Sequence, residues 1–122
     1  MKTTYQTGLN GEQIAEQWLC QHCGMVCLER RFRSKAGEID LILRDGETLV
    51  FAEVKTRIHA SPGTGMLAVD RKKQQRIARA AFLYMLHTGR QNTACRFDVV
   101  EVHPGEVLHV PNAFQPGGMF FR

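Results

Sequence analysis

The chain has 122 residues, 43% of them hydrophobic, which suits one compact domain spanning 1–122 around a single core and predicts no second domain. A formal charge of +4 and a pI near 9.1 are compatible with a polyanionic partner and equally with an ordinary basic protein. The opening Met1-Lys2-Thr3-Thr4-Tyr5-Gln6 lacks the apolar core of a signal peptide, and no apolar run approaches a membrane span, so the expectation is a soluble, cytoplasmic protein with no membrane partner.

Asn10 is positioned to cap a helix running from about Gly11 to Cys23, with Gly24 as its stop and Ile14, Ala15, Trp18 and Leu19 as its apolar stripe. A strand from about Met25 to Phe32 follows, then a turn at Ser34 to Gly37. Gly37-Glu38-Ile39-Asp40-Leu41-Ile42 and Val50-Phe51-Ala52-Glu53-Val54-Lys55 read as the two arms of a hairpin around Asp45-Gly46-Glu47. A loop of Asp45-Gly46 sets Glu38 across from Glu53, whereas a loop of Gly46-Glu47 sets Asp40 there. In either register alternation places Glu38, Asp40, Glu53 and Lys55 on one face and Ile39, Leu41, Leu43, Val50, Ala52 and Val54 on the other. One face would pack and the other would be free for chemistry.

Arg57 to Leu67, containing Ser61-Pro62-Gly63-Thr64-Gly65, is loop by composition and the segment expected to move most. A second helix is predicted from Asp70, its N-cap, to His87, with Gly89 just beyond. Ile77, Ala81, Tyr84 and Met85 form its apolar stripe, and Lys72, Arg76 and Arg79 lie roughly opposite. Cys95 to Val102 reads as a largely buried strand, Pro104-Gly105 as a turn, Val107 to Val110 as a short last strand, and Pro111 to Arg122 as a tail containing Phe114, Phe120 and Phe121. The order α-β-β-β-α-β with a short extra C-terminal strand predicts an α/β fold with a mixed central sheet, the second helix making a right-handed crossover from the Glu53 strand to the Phe97 strand. In α/β sheets the strand before a crossover is a usual place for functional groups.

Two carboxylates about 4 Å apart repel by roughly 4 kcal/mol at an effective dielectric near 20, so Asp40 beside Glu53 would need a cation. Lys55 is one candidate; Mg²⁺ or Mn²⁺, which take all-oxygen ligation, is another. A bland alternative is a ladder of acids and lysines that keeps a sheet edge soluble. Cys20, Cys23 and Cys27 are clustered, and folding could bring in Cys95 as a fourth zinc ligand, but the spacing lacks the pairs of a zinc ribbon; reduced, packed thiols are the expected state.

An acid in the first helix, Asp40 after a Gly-Glu-Ile, and Glu53-Val54-Lys55 on the next strand together resemble the PD-(D/E)XK nuclease signature. Gly8-Leu9-Asn10-Gly11-Glu12-Gln13-Ile14-Ala15, Gly37 to Ile42, Phe51-Ala52-Glu53-Val54-Lys55-Thr56-Arg57, Cys95-Arg96-Phe97-Asp98-Val99-Val100 and the later Asn112-Ala113-Phe114 are similar to the YraN family of small bacterial proteins, commonly labelled uncharacterised endonucleases. A more distant likeness is to archaeal Holliday-junction resolvases. The resemblance implies a restriction-endonuclease-like core with metal held by Asp40, Glu53 and the backbone carbonyl of Val54. It implies that Lys55 orients the attacking water or stabilises charge on the phosphate, with Glu12 as an auxiliary ligand or water-positioning group. Where related sequences often have Asn in the strand before the Gly-Glu-Ile, this chain has Arg31.

Glu38 is expected to bracket the hairpin, Glu12 could simply complement its helix dipole, and Asp98 is expected to be a buried structural acid paired with an Arg. Arg30, Arg31, Arg33 and Lys35 before the hairpin, Arg57 after it, and Lys72, Lys73, Arg76 and Arg79 on the second helix are candidate phosphate contacts by their clustering. The resulting expectation is a metal-dependent deoxyribonuclease that selects DNA structure and not sequence. Its rivals are a catalytically silent nucleic-acid-binding or adaptor module on the same fold and, more remotely, a zinc-binding interaction domain. Resolvase-like action would call for a symmetric homodimer, for which the sequence marks no interface.

Overall fold

The computed structural model describes residues 10–57 and 69–115. Its elements are α1 (Gly11–Cys23), β1 (Val26–Arg33), β2 (Glu38–Asp45), β3 (Thr48–Thr56), α2 (Arg71–His87), β4 (Cys95–His103) and β5 (Glu106–Phe114). The strands form one mixed sheet in the order β1-β2-β3-β4-β5, antiparallel throughout except for the parallel pair β3 and β4 joined through α2.

Local chemistry accounts for the helix ends. The Asn10 side chain accepts from the Gln13 N–H while the Gln13 side chain accepts from the Asn10 N–H, a reciprocal capping box, and Gly24 closes α1 at φ 68. The Asp70 side chain accepts from the Lys73 N–H at 2.8 Å and starts α2.

Alternate residues of β3 belong to two separate cores, so both faces of the sheet are covered. Val50 and Ala52 pack with Leu41, Leu43 and the α1 residues Ala15 and Leu19. Leu49 and Phe51 pack with Ile42 and the α2 residues Ile77, Ala81, Tyr84 and Met85. The expectation of a hairpin with one packed face and one open face is therefore corrected: the acid-bearing face lies beneath α2, and only its end is left for chemistry.

The hairpin loop is Gly46-Glu47, since Asp45 pairs with Thr48 and Leu41 with Ala52. Gly46 takes φ 61, and Glu47 is not among the positive-φ residues, which is the type II′ pattern. One step further along this register Asp40 lies opposite Glu53. There the main-chain ladder stops and the Asp40 carboxylate takes over, accepting the Val54 N–H at 2.8 Å. That substitution breaks the expected alternation: Ile39 joins the core under α2, whereas Leu41 and Leu43 join the one under α1.

The last strand is longer than the short Val107–Val110 element expected. Strand β5 continues through Pro111 to Phe114, which pairs with Phe97 and stacks on it with ring centroids 5.1 Å apart. Proline is tolerated because β5 is an edge strand, and at Asn112, φ 51, the N–H turns aside to donate to Asp98 at 2.9 Å. The expected mobile loop falls almost wholly outside the described residues, as do the Gly8-Leu9 start of the first motif and the tail residues Phe120 and Phe121.

Candidate active site at one end of the sheet

The site is assembled where the first turns of both helices meet the C-terminal end of β3. On the α1 side the approach is so close that a Cβ at Gly11 would stand 1.9 Å from the Thr56 Oγ1, which only glycine avoids. Glu12 follows immediately, and Lys73 reaches in from the first turn of α2.

Glu53 is 6% exposed, and a single oxygen of its carboxylate carries two cations: Lys73 Nζ at 2.6 Å and Lys55 Nζ at 3.2 Å. Burial and the adjacent Glu53 charge push the Asp40 carboxyl up to about 7, against the opposing pull of the Val54 N–H. Burial, then the neighbouring Lys73, lowers the Lys55 ammonium below its usual range. Burial opposes charge on Lys73 too, but its hydrogen bonds to Glu53 and Lys55 outweigh it and raise the value. The cluster is thus two adjacent acids under two lysines of unequal character, Lys73 the firmer cation.

Glu12 is held by Arg31, whose Nε donates to it at 2.8 Å, and it contributes repulsion to Asp40. Arg31 lies opposite Asp40 in the β1–β2 register and takes φ 51, a left-handed backbone that costs most L-residues about 1–2 kcal/mol. Beside it Arg30 grips Glu16 with two bonds of 2.7 and 2.6 Å. These residues line a groove of about 210 Å³ between α1 and β1.

Of the residues singled out in the sequence, Asp40, Glu53 and Lys55 come together, with Glu12 at the rim. Glu38 pairs with Arg33 across the β1–β2 ladder at 2.8 Å, so it brackets the turn before the hairpin and not the hairpin itself. Asp98 is fully buried and held by Arg96 at 3.0 Å, by His109 at 2.7 Å and by the Asn112 N–H. Lys72, Arg76 and Arg79 are exposed on the outer side of α2, and Lys35 is exposed in the β1–β2 turn. The Arg57 Nε, just past β3, is buried with no hydrogen-bond partner among the described residues.

Lys73 was grouped in sequence with the phosphate contacts, and the structure puts it in the acid cluster. No local signal separates Lys73 from Arg71 and Lys72, which share the first turn behind the Asp70 cap. Sequence reading also passed over a buried pair on the neighbouring strand. His103 Nε2 lies 2.6 Å from Glu101 Oε1, and Glu101 is in register with Lys55. The four thiols are free, but Cys20, Cys23 and Cys27 pack on the α1 core and Cys95 on the α2 core. The sheet stands between them, so Cys95 is no fourth ligand.

Among the described residues no three His, Cys, Asp or Glu side chains converge as a metal site. No described helix is long and apolar enough to cross a membrane.

What the fold and site define is a mixed α/β protein whose sheet end gathers two acids and two lysines. The model of the uncharacterised protein family UPF0102 matches residues 11–102, and the chain belongs to that family. Similar relatives include a UPF0102 protein of Symbiobacterium thermophilum, 48% identical over 100 residues, covering 82% of this chain and 84% of the relative. A UPF0102 protein of Geobacter metallireducens is 39% identical over 112 residues (88% and 91%), and one of Alcanivorax borkumensis is 41% identical over 120 residues (93% and 95%).

Proposed function

We propose that this protein is a metal-dependent endonuclease of PD-(D/E)XK type, of the YraN kind, hydrolysing phosphodiester bonds in DNA and selecting structure over sequence. The observation that carries the reading is Asp40 set against Glu53 and the Val54 amide, with Lys55 two residues on and in contact with Glu53. The element order is the one the resemblance implies.

The donor chemistry fits Mg²⁺ or Mn²⁺. Buried Glu53 and half-buried Asp40, the latter pushed up by burial and then by the Glu53 charge, form a hard all-oxygen pair. Asp40, Glu53 and the Val54 carbonyl would hold the ion, which supplies Lewis acidity toward a phosphate oxygen and toward water. The Val54 N–H fixes the Asp40 carboxylate in place. Lys55, lowered from its usual range by burial and by Lys73, is suited to take a proton from water or to meet charge developing on the phosphate. Arg31, Arg33, Lys35, Arg57, Lys72, Arg76 and Arg79 offer backbone contacts without base reading.

A second reading is a nucleic-acid-binding module with no cleavage of its own, favoured by the fact that Glu53 already has two cations from the chain. Incubation with labelled linear, flap and four-way DNA and with matched RNA, in Mg²⁺, Mn²⁺ or chelator, separates the two. Cleavage in metal alone supports the nuclease, and binding without cleavage supports the module.

A further inference from the structure

Lys55 and Lys73 press on the same oxygen of Glu53, yet they arrive differently. Lys55 is fixed to the sheet, on β3 in register with Glu101 of β4. Lys73 comes from a separate element and is the more exposed of the two, its side chain 29% accessible against 17%. As the third residue of α2 it sits at the positive end of that helix's dipole, the unfavourable end for an ammonium. Its neighbour Lys72 is exposed. Lys73 instead turns inward to a carboxylate that is almost wholly buried.

We propose that Lys73 is the built-in counter-cation of the Asp40–Glu53 pair, holding the acids together in the metal-free protein, yielding Glu53 when a divalent ion binds, and then facing the substrate phosphate. This rests on the acids being metal ligands. Glu53 already carries two ammonium groups on one oxygen, so a divalent ion at the same carboxylate adds positive charge where two cations are in place. One lysine must then move away, and Lys73, the more exposed of the two, has the open side to move into. The displaced ammonium remains at the mouth of the site, where an incoming phosphodiester offers it a negative charge. Metal and substrate binding would in this way be mutually reinforcing.

The test is Mn²⁺ binding by calorimetry on the full chain for the parent, Lys73→Met, Lys73→Gln and Lys73→Arg, with thermal melting in chelator alongside. Removing the competing cation should tighten Mn²⁺ binding on the order of tenfold in Lys73→Met and lower the chelator melting temperature, while Lys73→Arg stays near the parent. A side chain that merely supports the fold would weaken metal binding when removed. Lys73→Gln keeps a donor for Glu53 without charge, and its affinity must likewise rise, which covers the case of a Met variant that fails to fold. If the parent binds Mn²⁺ and neither neutral variant binds it more tightly, the role of Lys73 is overturned and the metal site stands. If no variant and no parent binds Mn²⁺, both are overturned.

Discussion

Replacing Asp40 by Asn should make the metal-free protein more stable while abolishing cleavage. In the folded chain burial and Glu53 push this carboxyl from 3.8 up to about 7. A group whose folded value is raised contributes most below its unfolded value, and that contribution is lost as the pH climbs through the folded one. Asp40 therefore costs nothing near about pH 4, an increasing amount above it, and a constant amount beyond about pH 7. At about 1.4 kcal/mol per unit the full shift sets a ceiling of about 4 kcal/mol. Relaxation and solvent around a partly accessible carboxyl reduce the expected gain to about 1–3 kcal/mol. Asn carries no charge and its Oδ1 still accepts the Val54 N–H, so the gain should appear undiminished by a lost hydrogen bond. In a domain of this size it corresponds to about 3–5 °C of melting temperature per kcal/mol. Circular-dichroism melts in chelator at about pH 5 and about pH 8 should show the difference between variant and parent growing with pH. Adding Mg²⁺ should raise the melting temperature of the parent alone, since only a binding-competent native state gains from the ligand. An Asn variant less stable than the parent at the higher pH, or a difference independent of pH, would refute the picture of an Asp40 charge held at a cost by burial and by Glu53.

Replacing Lys72, Arg76 and Arg79 together should weaken DNA binding for every sequence and lower the log-log salt slope by up to about 3, with Mn²⁺ affinity unchanged; an unaltered slope would place the phosphate track elsewhere. Arg31→Asn should leave stability equal to the parent or slightly raise it, because relief of the left-handed backbone outweighs a solvent-screened ion pair, while DNA affinity falls. A clear loss of stability in urea titration would show that the Glu12 contact, not the backbone, dominates there. At Asp98 burial alone would raise the carboxyl, but donors from His109, Arg96 and Asn112 outweigh it and hold the group below its usual range. Its stabilisation should thus be present above about pH 4 and be lost as the pH falls further through the folded value. Asp98→Asn should cost about 3 kcal/mol near neutrality and less in acid, read from urea midpoints, and a cost that does not shrink in acid would contradict the assignment.

Helix α1 was legible to the residue because its ends are local chemistry: Asn10 with Gln13 at one, Gly24 at the other. The partnership of Asp40 and Glu53 was legible only to within two registers, since Asp45-Gly46 and Gly46-Glu47 are both acceptable loops, and the choice lies in the backbone sign at Glu47. Periodicity could not reveal the break at Asp40, where a side chain stands in for the main-chain ladder and sends Ile39 to the other core. Nor could it place Lys73 on Glu53, a contact made only when the crossover helix returns to the sheet. The extension of β5 past Pro111 depends on its being an edge, a property of the whole sheet and not of the segment. Arg31 shows the reverse: its left-handed backbone marks the arginine as held against local preference, which periodicity does not report.

The central claim is that the acids and lysine at the end of β3 cleave phosphodiester bonds. Single-turnover cleavage of the labelled DNA panel by purified parent, Asp40→Asn and Lys55→Ala, each in Mg²⁺ and in chelator, tests it most directly. The parent should cleave at least one structured substrate in Mg²⁺ and none in chelator; Asp40→Asn should be inactive, and Lys55→Ala should bind as the parent does but cleave far more slowly. No cleavage by the parent in any metal condition, or cleavage that persists in Asp40→Asn, would contradict it.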